Sequence, residues 1–223
     1  MSEAVAGHGA HAEHHPALQH HFGDLASQKD AASLGMWVFI AQEVMFFGGL
    51  FLTYTVYRAL YPRAFAAAAH HLDWKLGAFN TAVLIGSSLT MALAVHAAAL
   101  GHRKKIVGFL AATIALGSVF LGIKVVEYAD KFKHHLVPGA HFQFEGADPR
   151  GAQAYYSLYF AMTGLHALHM VIGIPILATI GYLAWKGRYS PAYHTPVEMT
   201  GLYWHFVDII WIFLFPLLYL IHG

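Results

Sequence analysis

Three carboxyl groups are embedded in apolar sequence. They are Glu43 in Gln42-Glu43-Val44-Met45-Phe46-Phe47, Glu127 in Lys124-Val125-Val126-Glu127-Tyr128, and Asp208 in Tyr203-Trp204-His205-Phe206-Val207-Asp208-Ile209-Ile210-Trp211. Histidines stand in similar surroundings at His96, His166, His169 and His205. Within a bilayer such groups can relay protons, ligate haem, or hold one helix to another. On a helix His205 and Asp208 are three apart, and Trp204 and Asp208 four apart, so these side chains share one face. A charge at that depth costs about 2.5–3.5 kcal/mol on insertion scales, so it needs a partner or a task.

Each group has a structural reading beside the chemical one. Glu43 has no cation within a turn of its own segment, so it pairs across the bundle, keeps its proton, or sits at a polar interface. Packing or an interhelical hydrogen bond is the expected role, ahead of proton movement. Glu127 has Lys124 three residues before it and Lys131 four after, so an ion pair along one helix face is available. Haem ligation by two histidines needs imidazoles facing each other across the bundle. The His166/His169 pair also lacks the Glu-x-x-His motif that two helices of a carboxylate-bridged metal site would carry. A histidine hydrogen-bonded between helices is the more frequent arrangement.

The elements that must position these groups are membrane spans. The chain is 57% hydrophobic and 11% charged, against roughly 45–50% and about 25% in an average soluble domain. Its mean hydropathy is +0.49. Five apolar stretches approach or exceed the ~20 residues that cross a hydrocarbon core: Ser33–Leu60, Leu76–Leu100, Ile106–Tyr128, Tyr155–Trp185 and Thr200–His222. None alternates with the period of a membrane strand, so the expected class is all-α, a polytopic bundle of five transmembrane helices. Gly108/Ala112 and Ala94/Ala98 offer small residues for close helix approach. Pro175 and Pro216 fall inside spans, where each removes one backbone hydrogen bond and favours a kink. The fourth span is long enough to tilt or to project.

Residues 1–30 read as a polar, solvated tail, with residues 31–223 forming the membrane domain. The tail holds His8, His11, His14, His15, His20 and His21 of the 18 histidines and has no apolar core of a signal peptide. Weak binding of divalent metal is its alternative role. The absence of cysteine excludes disulfides, thiolate metal sites and a cysteine nucleophile. A net charge of +1 gives no footprint for nucleic acid, so no nucleic-acid partner is expected. Lys and Arg are split six against six between the two faces. The compact Arg103-Lys104-Lys105 cluster tips the N-terminus to the cytoplasmic side.

From about Leu34 onward the chain resembles subunit III of the haem–copper cytochrome c oxidases. The resemblance rests on five segments in order: Gln42 to Phe47; Phe79-Asn80-Thr81 with Ser87-Ser88-Leu89-Thr90; Glu127-Tyr128; Thr163-Gly164-Leu165-His166-Ala167-Leu168-His169; and Tyr203 to Asp208. Gln42 replaces the family's usual serine. The resemblance implies the short bacterial form, lacking two N-terminal helices of longer members. It also implies a V-shaped cleft holding phospholipids, placed here between spans one and two and spans three to five.

By the same resemblance this chain binds no haem or copper, which belong to partner subunits. The expected partners are subunit I, as the main contact, and subunit II, with a respiratory supercomplex left open. The expected location is the bacterial cytoplasmic membrane. The expected function is a non-catalytic subunit of a proton-pumping terminal oxidase that takes electrons from cytochrome c to O2. It would stabilise subunit I, hold lipid and support proton uptake. The alternatives are a quinol oxidase subunit III, the related accessory subunit of nitric oxide reductase, a stand-alone membrane cytochrome b, and a small transporter. The last is disfavoured by the absence of an internal repeat. Lipid-binding or structural roles are expected of Glu43, Asn80, Glu127, His166, His169, Glu198, Trp204, His205 and Asp208. Arg58, Arg188 and His205 are the expected headgroup contacts near the membrane faces.

Overall fold

The computed structural model describes residues 18–139, 142–144 and 148–221. Six helices follow in order: α1 (Leu25–Leu60), α2 (Pro62–Ala69), α3 (Trp74–Ala99), α4 (Arg103–Lys133), α5 (Pro149–Trp185) and α6 (Thr195–Tyr219). All but α2 are long and apolar enough to cross a membrane. These are the five expected spans, mostly with longer ends. α1 starts eight residues before the expected Ser33, because Asp24 caps it by accepting from the Ser27 amide at 2.7 Å. The polar tail therefore stops at this cap, before residue 30. Its first seventeen residues, with His8, His11, His14 and His15, lie outside the described residues, as does His222. α5 continues through Pro175 over 37 residues, and α6 runs three residues past Pro216.

α2 was not expected from the sequence. Pro62 starts it, and Ala64, Phe65, Ala68 and Ala69 form the face it buries against α5. It closes one end of the bundle.

The connections determine who packs on whom. α3 and α4 are joined by three residues, with Gly101 at φ 72° and Pro191 packed against its open side. A side chain there would be strained and crowded, so glycine permits the tight antiparallel hairpin. α3 makes its principal contact with α4 and its second with α6, while α1 packs on α5 and α6. Spans one and two thus do not pair as one wall of a cleft, which corrects the expected division. The reason is connectivity: α2 and its flanking turns separate α1 from α3, whereas the short hairpin ties α3 to α4. Of the two small-residue pairs, Ala94/Ala98 is fully buried, but Gly108 faces open space.

α6 is the central element, with over half of its apolar window buried against about a tenth for α1. Trp204 on α6 lies flat in a slot between α4 and α5. A Cβ on Gly117 would come within 2.9 Å of its ring, and one on Gly173 within 3.0 Å. The C-terminal turn of α6 leaves carbonyls without intrahelical partners. Tyr54 of α1 donates to the Leu217 carbonyl at 2.5 Å and Tyr155 of α5 to the Leu218 carbonyl at 2.7 Å.

Candidate functional site: the polar groups inside the bundle

The interior polar groups fall into two sets, set by which helices bring them together. The first joins α4, α5 and α6. Lys124 is 3% exposed and donates to Glu127 Oε2 at 3.1 Å, Tyr219 OH at 2.6 Å and Tyr159 OH at 3.4 Å. Glu127 Oε1 accepts from Tyr159 at 2.6 Å and from Tyr219. The ammonium also lies 4.7 Å from the Trp211 ring centroid, within cation–π range. The along-helix pairing expected for Glu127 is therefore made with Lys124. Lys131 instead holds Asp130 at 3.2 Å and the His71 carbonyl at 2.8 Å. Tyr159 and Tyr219 were missed from sequence. The available signal was that Tyr155, Tyr156 and Tyr159 fall at i, i+1, i+4 on one helix.

Glu43 finds its neighbour across the bundle. Its Oε2 lies 3.5 Å from His169 Nε2 on α5, close enough for an ion pair when the imidazole is charged but without a hydrogen bond among the described residues. His169 Nδ1 faces its own helix at the Leu165 carbonyl, 2.9 Å away, which fixes the ring so that Nε2 points at Glu43. His166 is fully buried, with Phe120 and Trp211 rings at centroid distances of 5.3 and 5.1 Å and neither nitrogen hydrogen-bonded among the described residues. Among the described residues no group of three or more His, Asp or Glu side chains is arranged to hold a metal ion.

The second set joins α3 and α6. Trp204 Nε1 donates to Ser87 Oγ at 2.9 Å. One residue on, the Ser88 hydroxyl and His205 Nδ1 are 2.7 Å apart. Asp208 is 3% exposed and both of its oxygens lack a partner among the described residues. So His205 and Asp208 do turn toward the same neighbour helix, while Trp204 turns into its slot. Asn80, also on α3, is 0% exposed, and its side-chain oxygen and nitrogen both lack a hydrogen-bond partner among the described residues.

At the end where α1, α4 and α6 begin, Glu198 bridges Lys29 of α1 at 3.0 Å and His194 at 3.1 Å. Lys29 is half-exposed and Glu198 a quarter exposed, so their contact contributes about 0–1 kcal/mol. In the neighbouring loop, burial beside the Tyr193 phenol pushes the Tyr189 hydroxyl up to about 12. Arg58 and Arg188 are exposed at opposite ends of the bundle. His205 is half-buried and lies about 15 Å along α6 from its start at 1.5 Å per residue, deeper than a headgroup contact at the face.

Together, fold and interior define a polytopic helical membrane protein in which Lys124 and Glu127 are satisfied by its own helices while Asp208 and His166 have no hydrogen-bond partner among the described residues. Comparison with known proteins gives the family. A family model described as "Cytochrome c oxidase subunit III" matches residues 18–222. The chain is similar to cytochrome c oxidase subunit 3 of Corynebacterium diphtheriae, 33% identical over 197 residues, covering 87% of this chain and 90% of that one. It is also similar to cytochrome c oxidase subunit 3 of Thermostichus vulcanus, 34% identical over 197 residues, covering 86% and 88%. Similarity extends to quinol oxidase subunit 3 of Bacillus spizizenii, 31% identical over 189 residues, covering 84% and 85%. The chain belongs to the cytochrome c oxidase subunit III family.

Proposed function

We propose that this chain is a non-catalytic subunit of a proton-pumping terminal oxidase, one that accepts electrons from cytochrome c and reduces O2. It packs on subunit I beside subunit II, holds phospholipid and keeps proton uptake working during turnover. Haem and copper reside in the partner subunits. The complex lies in the bacterial cytoplasmic membrane with the N-terminus of this chain on the cytoplasmic side. The observation that carries this reading is how the interior charges are engaged. Lys124 and Glu127 satisfy each other with Tyr159 and Tyr219, and Glu43 faces His169. Lys124 and Glu127, committed in this way, position helices and are not free to bind a substrate.

Deleting the chain tests the proposal. The remaining complex should retain initial oxidase activity and lose it progressively during turnover. Full, lasting activity without the chain would contradict it. The likeness to a quinol oxidase subunit 3 supports a second reading with the same fold and a different donor. Assay of the intact complex with reduced cytochrome c and with a quinol separates the two.

A further inference from the structure

The α3–α6 seam holds a cavity of about 110 Å³ lined by Leu84, Ile85, Ser88, Asp208, Ile209 and Ile212. Asp208 is nearly closed off from the surface; Ser88 is its polar neighbour, yet neither carboxyl oxygen meets a donor in full hydrogen-bond geometry among the described residues. A buried group without a partner costs about 1–3 kcal/mol or more if charged. The cavity exceeds the about 10–15 Å³ that one water needs by the same measure, and Ser88 and Asp208 are the polar groups of its lining that such a water would bond. Ser88 lines this cavity and bonds His205 Nδ1 at 2.7 Å. His205 in turn lines a second groove, of about 390 Å³, which runs along α3 and α6 to Glu198. Glu198 is the residue bridged by Lys29 and His194 where α6 begins. Further along α6 the seam is closed by Trp211 and Leu214, both fully buried, with Trp211 Nε1 donating to Thr81 Oγ1 at 3.1 Å, while the cavity's outer wall of Ile85, Ile209 and Ile212 is about half exposed.

We propose that Asp208 is the closed end of a hydrated proton inlet, which opens beside Glu198 and passes through His205 and Ser88. The inference goes beyond the assembly role and stands whether or not that role holds. The transfer balances as follows. A hydronium in the outer groove gives its proton to His205 Nε2 and becomes water. The Nδ1 proton passes to Ser88 Oγ as the serine hydroxyl proton passes to cavity water. That water delivers a proton to one Asp208 oxygen, whose charge goes from −1 to 0, and release retraces the path. The titratable and charged groups facing it are Glu198, Lys29 and His194 at the mouth, His205 in the middle and Asp208 at the end. α3 contributes Ser88 and has no ionisable residue between Lys75 and His96. α1, which also packs on α6, contributes Glu43 on its other side, facing His169.

Infrared difference spectroscopy of the chain in its purified complex tests the inlet. Wild type minus Asp208→Asn should show a protonated carboxyl stretch that shifts in D2O. In Ser88→Ala that shift should be slower by about tenfold or more, as loss of a proton-transferring group predicts, and Ser88→Thr should restore it. If Asp208→Asn fails to assemble, Asp208→Glu identifies the band by moving it. The proposal is overturned by absence of the band at every pH at which the complex stays intact. It is equally overturned by an exchange rate that Ser88→Ala leaves unchanged.

Discussion

Lys124 and Glu127 show best what single residues do here. Each is buried, and each satisfies the other together with two phenols. Removing one partner strands a charge, at about 3–5 kcal/mol, whereas removing both costs less than the sum. We therefore expect the Lys124→Met/Glu127→Gln double variant to lower the subunit's thermal midpoint by less than the sum of the two single effects. A double-mutant cycle followed by calorimetry checks this; strict additivity would contradict the coupling. For Glu43, the neighbouring His169 makes the expected role one of helix positioning. Glu43→Gln should assemble and pump with a normal proton-to-electron ratio. Lost pumping at full subunit stoichiometry would assign it proton chemistry instead. The Lys124–Glu127 contact was legible in sequence because three residues along a helix always share a face. The Glu43–His169 contact was not, since the rotation of α1 against α5 decides it and α1 is apolar all round.

At the scale of elements, the spans were readable because length and hydropathy alone determine them. Their ends and partners were less so. The start of α1 depends on one capping carboxylate, and α2 depends on an alanine-rich face that only packing reveals. The local hydrogen bond to Ser27 holds the Asp24 carboxyl below the usual Asp range. A lowered folded-state value means the cap stabilises above the unfolded value of 3.8 and is lost as pH falls through the lower folded one. The protection of the Ser27 amide, its exchange relative to an unstructured amide at the same pH, should fall on that acid side and stay level above it. The Trp204 slot makes a firmer prediction. Gly173→Ala places a methyl group about 3.0 Å from the indole. Overpacking of this kind costs about 1–3 kcal/mol, read as a lower thermal midpoint of the subunit in its complex. Tyr54→Phe and Tyr155→Phe should each cost about 0.5–1.5 kcal/mol and loosen the last turn of α6 in hydrogen exchange.

For the whole molecule, topology follows from connection lengths: a three-residue hairpin couples α3 to α4, and α6 occupies the centre of the remaining helices. Five ordered motifs made the family legible before any coordinates. The cleft assignment failed because a motif reports which residues are present, not which helices touch. The central claim is that this chain is an assembly subunit of an oxidase whose redox centres lie elsewhere. Affinity purification of the chain in mild detergent, with optical spectroscopy before and after the subunits are separated, tests it most directly. The account predicts co-isolation with haem- and copper-bearing oxidase subunits, and a separated chain without a Soret band. Stoichiometric haem or copper on the separated chain, or isolation without any oxidase subunit, would contradict it.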